Sequence, residues 1–291
     1  MSASLSTGLV AGRDAQRFRR FRAVDRAGVL LSLVAFFAAL LWGFPVYFSV
    51  YETLKPGRDA VTFANWLADV ASLYGRVIFE TDLGRWYLNS IVTSTGVTAG
   101  VILISATCGY AISQIRFRGR RALWFLILAS FMIPTQALIV SHFFLMYSFG
   151  LINTWLGVIL PQLIAPVAVI VYKQFFDSVP REFAEAAMLD GASHAQILFR
   201  IFLPMNWGVT AALAIIAFIG AWNAFLWPFL AVTTEPMMNV AVAMGANFTA
   251  LGENYLAASL LAGLPVAVVY LLFQRRVTQA VVLSAGVTSS R

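Results

Sequence analysis

Six apolar stretches, each long enough to cross a bilayer and each without Asp, Glu, Lys or Arg, leave this 291-residue chain few folds to choose from. They run over 28–50, 88–113, 122–149, 151–171, 205–232 and 256–273. In hydrocarbon every backbone polar group must be satisfied within the segment, so runs of this kind form helices. The expectation is an all-α polytopic membrane protein with six transmembrane helices. The spans lie in one domain over 27–277, between a basic tail at 1–26 and a second tail at 278–291. The first stretch does not read as a cleaved leader: its apolar run is too long, and "YETLKPGRDA" follows it in place of a small-residue cleavage site. Cys108, the single cysteine, falls inside the second stretch and is expected as a small buried apolar residue, with no disulfide.

A net charge of +7 raises the question of nucleic acid, and the placement of the charge answers it. Segments outside the spans were numbered alternately from the N-terminus. Sixteen of the 20 Lys and Arg residues lie in the odd set, and only Lys55, Arg58, Arg76 and Arg85 lie in the even set. This is the positive-inside bias. It predicts both termini and the segment around 172–204 on the cytoplasmic side of a bacterial or archaeal cytoplasmic membrane, with no nucleic-acid partner. "DAQRFRRFRAVDR" reads either as a charged tail that sets topology or as a short interfacial amphipathic helix. The loop over 51–87 is expected outside, with Trp66, Trp86 and Tyr87 as interfacial anchors; Trp227 reads as another. The loop over 233–254 carries no Lys or Arg and is expected outside as well. Pro45, Pro134, Pro161, Pro166, Pro228 and Pro265 fall within spans and predict kinks.

Several chemistries have no residues to run on. No G-x-x-x-x-G-K-[ST] loop is present to cradle ATP phosphates, no H-E-x-x-H occurs, and two histidines with one cysteine offer no metal site. Enzymatic activity in the chain itself, and a cofactor or metal bound by it, are not expected. A proton-coupled carrier usually places a carboxylate inside the membrane, and none of the spans has one.

One segment breaks the apolar pattern: "EFAEAAMLDGASHAQILFRIFLP", Glu182 to Pro204. Pro180 suits the start of a helix, Glu182 and Glu185 sit near its positive end, and three alanines extend it. Gly191 can take the left-handed conformation that stops it. Ser193 with Gln196 fits a capping box for a second helix, which is expected to run through "ILFRIF" and stop before Pro204. The residues alone allow two readings, a solvated amphipathic linker or a docking surface whose small side chains Ala186, Ala187 and Gly191 admit close approach.

The pattern E-A-A-x-x-x-G, then nine residues, then I-x-L-P stands intact as Glu185-Ala186-Ala187, Gly191, Ile201, Leu203 and Pro204. It resembles the EAA loop of the membrane (permease) subunits of ABC importers. "YLNSIV" at Tyr87–Val92, "GLINTWLGVILP" at Gly150–Pro161, "QFFDSVPREFAEAAMLDGAS" at Gln174–Ser193 and "FIGAWNAFLWP" at Phe218–Pro228 are similar to the carbohydrate-uptake, MalG-like branch of that family. The likeness runs from about residue 28 to the end, although the ending "VVLSAGVTSSR" departs from the family's usual Gly- and Lys-containing one. The resemblance implies a type I ABC importer permease fold, with an EAA coupling loop over 180–204. It implies half of a translocation pore, completed by a second, homologous permease. Two ATP-binding subunits, which carry the ATP and Mg, and an extracytoplasmic solute-binding protein would complete the system. It assigns ATPase coupling to Glu182, Glu185, Ala186, Ala187, Asp190, Gly191 and Pro204. The expected cargo is a mono- or oligosaccharide, with glycerol-phosphate or an amino sugar as the alternative.

Within the fifth span, Trp222, Asn223 and Phe225 are the substrate-path candidates. Trp222 and Asn223 lie about 13 Å from its outer end at 1.5 Å per residue, where an amide can bond sugar hydroxyls and an indole can stack on a sugar face. Helix–helix packing explains the same residues equally simply. An ion-coupled carrier and a non-transporting scaffold are the other two classes that a six-span chain allows.

Overall fold

The computed structural model describes residues 6–55 and 62–286, with side chains for 28–55 and 62–273. It is helical throughout, with no strand among the described residues. The helices are α1 (Ser6–Leu54), α2 (Phe63–Phe79), α3 (Leu83–Gln114), α4 (Arg120–Phe131), α5 (Ile139–Ser148), α6 (Trp155–Ile159), α7 (Pro166–Asp177) and α8 (Arg181–Leu189). Beyond them lie α9 (His194–Ile197), α10 (Leu203–Met205), α11 (Trp207–Trp222), α12 (Leu226–Ala231), α13 (Val240–Ala246), α14 (Phe248–Leu251) and α15 (Tyr255–Gly286). Two compact units divide the chain, residues 1–59 and 60–291. The first is essentially α1, whose described side chains over 28–54 are exposed and apolar almost throughout. The side chains of both expected tails lie outside the described residues.

Among the described residues, three helical stretches are long and apolar enough to cross a membrane: Gly28–Leu54, Leu83–Gln114 and Phe248–Phe273, the last passing from α14 through a 3-10 turn into α15. The third, fourth and fifth apolar stretches are each broken instead. Arg120–Phe131 and Thr135–Ser148 meet at 93°, Trp155–Leu163 and Pro166–Asp177 at 51°, and His194–Met205 and Trp207–Trp222 at 87°. Only if each bent pair counts as one span do the candidates number six.

Proline chemistry accounts for much of this. A proline in a helix has no N–H to give the carbonyl four residues back, and its ring pushes that carbonyl away. Pro228 leaves Ala224 unpaired, and the backbone breaks between α11 and α12 at that point; the Asn239 amide donates to the Ala224 carbonyl instead (3.3 Å). Pro265 frees the carbonyl of Leu261, which accepts from the Tyr87 hydroxyl (2.5 Å), and α15 continues unbroken. Pro134 precedes the 3-10 turn that opens the α5 arm, and Pro166 begins α7.

The second unit is organised on α3, about 48 Å long at 1.5 Å per residue. Its buried face is a run of small and polar side chains, Asn89, Ser90, Thr93, Ser94, Ser105, Ala106, Gly109 and Ser113, which lets neighbouring helices come close. At Gly109 the approach to α7 is tight: a Cβ there would stand 2.8 Å from the Tyr172 Cβ and 3.0 Å from the Lys173 nitrogen. Near one end of α3, Asn89 is fully buried and bonded on every side. Its amide donates to the carbonyls of Pro236 and Met238 (2.9 Å each) and its oxygen accepts from Trp155 Nε1 (3.0 Å). Near the other end, Tyr110 packs with Tyr172, Phe176, Ile197, Leu198 and Phe202.

Several expectations are corrected. The second apolar helix starts at Leu83, and the preceding loop contains α2. Trp86 and Trp227 are buried, not interfacial. Trp86 packs in the core with Val77, Trp222 and Val240, and Trp227 donates its Nε1 to the Val158 carbonyl (3.1 Å). Cys108 is half-buried.

Candidate functional site

The polar segment folds as its local chemistry dictates. Pro180 caps α8, with Glu182 in the first turn. Gly191 takes φ +82°, and two bonds close the end: Gly191 N–H to Met188 C=O (3.0 Å) and Ala192 N–H to Ala187 C=O (2.9 Å). Together they form a Schellman stop. The capping box follows as expected, with the Gln196 N–H donating to Ser193 Oγ (3.3 Å) and the Ser193 N–H to Gln196 Oε1 (2.8 Å).

The next element differs from expectation, because the helix does not stop before Pro204. It widens into a π turn over Leu198–Phe202, where the Leu203 N–H reaches the Leu198 carbonyl five residues back. Pro204 then lies inside α10 and the chain turns only at Asn206. The wider turn lets the helix pass the missing proline N–H. Asn206 is buried, and its amide donates to the Phe202 carbonyl (2.9 Å).

Of the residues assigned to coupling, Glu182, Glu185, Ala186, Asp190, Gly191 and Pro204 are exposed. Ala187 is half-buried and packs inward, and the neighbouring Ala184 anchors α8 to the core. Leu189 stands 90% exposed, beside Met188. A hollow of about 240 Å³ runs between Asp190, Gly191, Gln196, Arg200 and Ile201. The segment is tied back to α3 by Tyr110, whose hydroxyl lies 3.2 Å from His194 Nδ1. Next to it, Ser113 donates to Asp177 (2.7 Å) and Gln114 to the Phe176 carbonyl (2.9 Å), which pin α3 to the end of α7.

A second feature lies where the broken helices converge. A cavity of about 440 Å³ is lined from the α4–α5 break by Thr135, Gln136, Ile139 and His142, and from the α6–α7 break by Pro161, Gln162 and Ile164. Gly220, Ala224, Phe225, Leu226 and Trp227 line it from the break between α11 and α12. Phe225 is therefore a wall residue, stacked on Phe229 at 5.3 Å. Trp222 is not among the lining. It is buried between Tyr87 and Phe218, with Nε1 3.4 Å from the Ala262 carbonyl. Asn223 is exposed at the break and donates to the Ile219 carbonyl (3.0 Å). Sequence reasoning passed over Gln136 and Gln162. The signal was present, since each is an amide one or two residues after a proline inside an apolar run.

Residues 96–282 match the family described as "Binding-protein-dependent transport system inner membrane component". The arabinooligosaccharides transport system permease protein AraQ of Halalkalibacterium halodurans is 30% identical over 256 residues, covering 84% of this chain and 91% of that protein. The sn-glycerol-3-phosphate transport system permease protein UgpE of Yersinia pestis is 34% identical over 260 residues, covering 85% and 90%. The fold is similar to a chain in the crystal structure of a bacterial ABC transporter that imports the acidic polysaccharide alginate. The TM-score is 0.74 at 23% identity, over 87% of this chain and 97% of that one.

Proposed function

The chain belongs to the family of binding-protein-dependent transport system inner membrane components, and on that footing we propose that it forms half of the pore of an ATP-driven importer for a mono- or oligosaccharide. A second, homologous permease completes the pore. Two ATP-binding subunits supply the hydrolysis, and an extracytoplasmic binding protein delivers the sugar. Six spans are counted by taking each bent pair as one, with both termini on the cytoplasmic side, as the positive-inside bias indicates.

The observation that carries this reading is the segment from Arg181 to Met205. It is a pre-formed helix–turn–helix with an exposed polar and small-residue face and a buried root in the core. In the proposed role Glu182, Glu185 and Asp190 make the polar contacts with an ATPase groove, while Ala186 and Gly191 admit close packing and Ala187 holds α8 to the core. Pro204, in α10 just past the widened turn, fixes the direction in which the segment pulls on α11. Closure of the ATPase pair then biases the pore between two states. Moving such an equilibrium from 1:99 to 99:1 needs about 5.5 kcal/mol of differential binding, within reach of ATP and a docked binding protein together.

A glycerol-phosphate or amino-sugar cargo on the same architecture is the alternative, favoured by the 34% identity with UgpE. The test is sugar uptake in energised vesicles. The importer reading expects uptake to collapse on ATP depletion and to survive an ionophore, and the opposite result contradicts it.

A further inference from the structure

We propose that this chain contributes a substrate subsite of its own in the cavity between the α4–α5, α6–α7 and α11–α12 breaks, and that the subsite takes an uncharged, hydroxyl-rich sugar ring and not a phosphate or a uronate. The proposal rests on the importer reading above and adds a place and a ligand chemistry to it.

The bundle is apolar, yet polar side chains with unused bonding capacity gather at this cavity. Thr135, Gln136 and His142 make no side-chain hydrogen bond among the described residues, and all of them line the space. Gln162 is oriented: its Nε2 donates to the Val158 carbonyl (2.8 Å), which also accepts from Trp227 Nε1 (3.1 Å). That carbonyl is available because α6 gives way there to a 3-10 turn at Leu160–Leu163. With its nitrogen held, the amide keeps its oxygen for a ligand in the cavity. The His142 ring is set edge-on to Trp227, 5.9 Å between centres.

Amides, an imidazole and a hydroxyl both donate and accept, which matches sugar hydroxyls. Phe225 adds an aromatic wall, 42% exposed, for the apolar face of a ring. Among the described residues, no Asp, Glu, Lys or Arg lines the cavity. A phosphate or carboxylate placed there would find no counter-charge, which disfavours it against a neutral ring. The volume, about 440 Å³, suits a small ligand.

The test uses the complete transporter purified with its partners. Gln136→Cys is introduced in a Cys108→Ser background, and its rate of alkylation by N-ethylmaleimide is measured. The competitors are a panel of neutral mono- and disaccharides (arabinose, galactose, glucose, lactose, maltose), sn-glycerol 3-phosphate and a short oligouronate. The proposal expects at least one neutral sugar to slow labelling about threefold or more and neither anion to do so. In parallel, Gln162→Leu should raise the half-saturating concentration of that sugar for uptake by about tenfold, the loss of one oriented hydrogen bond. Protection by an anion alone, or by nothing in the panel, overturns the proposal, as does a Gln162→Leu transporter with unaltered half-saturation. Absence of ATP-dependent uptake by the unsubstituted complex strikes the importer reading itself. Intact uptake with an unprotected cysteine strikes the subsite alone.

Discussion

The Tyr110 hydroxyl stands 3.2 Å from His194 Nδ1, so one side-chain contact joins the long helix α3 to the first residue of α9. The rest of the Tyr110 ring is packed edge-on against Phe176 and Phe202, at 6.4 and 5.2 Å between centres. In the proposed coupling role, a push on the 181–205 segment would reach α3 through this bond and these packed rings. Tyr110→Phe removes the bond and keeps the packing. Its direct effect on stability should be small, about 0.5–1.5 kcal/mol. The ratio of sugar transported to ATP hydrolysed should fall, and a ratio equal to that of the unsubstituted complex would show that the link does not transmit.

Gly191 adopts a left-handed conformation in open space, with no atom within 4 Å of where a Cβ would stand. Gly191→Asp therefore meets conformational strain of about 1 kcal/mol and no clash. It also adds a charge beside Asp190 on the exposed face. The chain should still insert and fold, while ATPase subunits should co-purify at reduced yield and uptake should fall severely. Normal uptake by this variant would argue that the turn is only a linker.

Buried Asn89 holds two carbonyls of the 236–238 turn and the Trp155 indole together. Asn89→Leu would leave the Met238 carbonyl and the Trp155 indole unpaired, each costing about 1–3 kcal/mol, while the Pro236 carbonyl keeps its bond from Arg85 Nε (3.1 Å). The melting temperature of the detergent-solubilised chain should drop by several degrees. An unchanged melting temperature would mean that the network adds nothing net.

Pro228→Ala restores the N–H that could bond the Ala224 carbonyl, and so favours a continuous α11–α12 helix. The cavity wall at Ala224 and Phe225 should then straighten. Uptake should fall with no loss of thermal stability, measured as half-saturation and melting temperature in the same preparation.

Local chemistry made the stop at Gly191 and the capping box at Ser193 readable, because each depends on neighbours within six residues. The break at Ala224 was readable in part, since Pro228 announces a kink but not its angle. The roles of Trp86, Trp222 and Trp227 were not readable. Depth along a span says nothing about which side of a helix faces a path, and Tyr87, Phe218 and α15 decide that for Trp222. The cavity was hidden for the same reason. Gln136 and Gln162 lie 26 positions apart in different apolar stretches, and only the convergence of the breaks gives them a common space.

The most direct test of the account is the intact mass of the complex that accompanies this chain when it is gently purified from its native membrane. The account predicts one copy of this chain with a second, homologous permease and two copies of an ATP-binding subunit. A chain that purifies alone or only with itself, from membranes whose vesicles take up sugar without ATP, would contradict it.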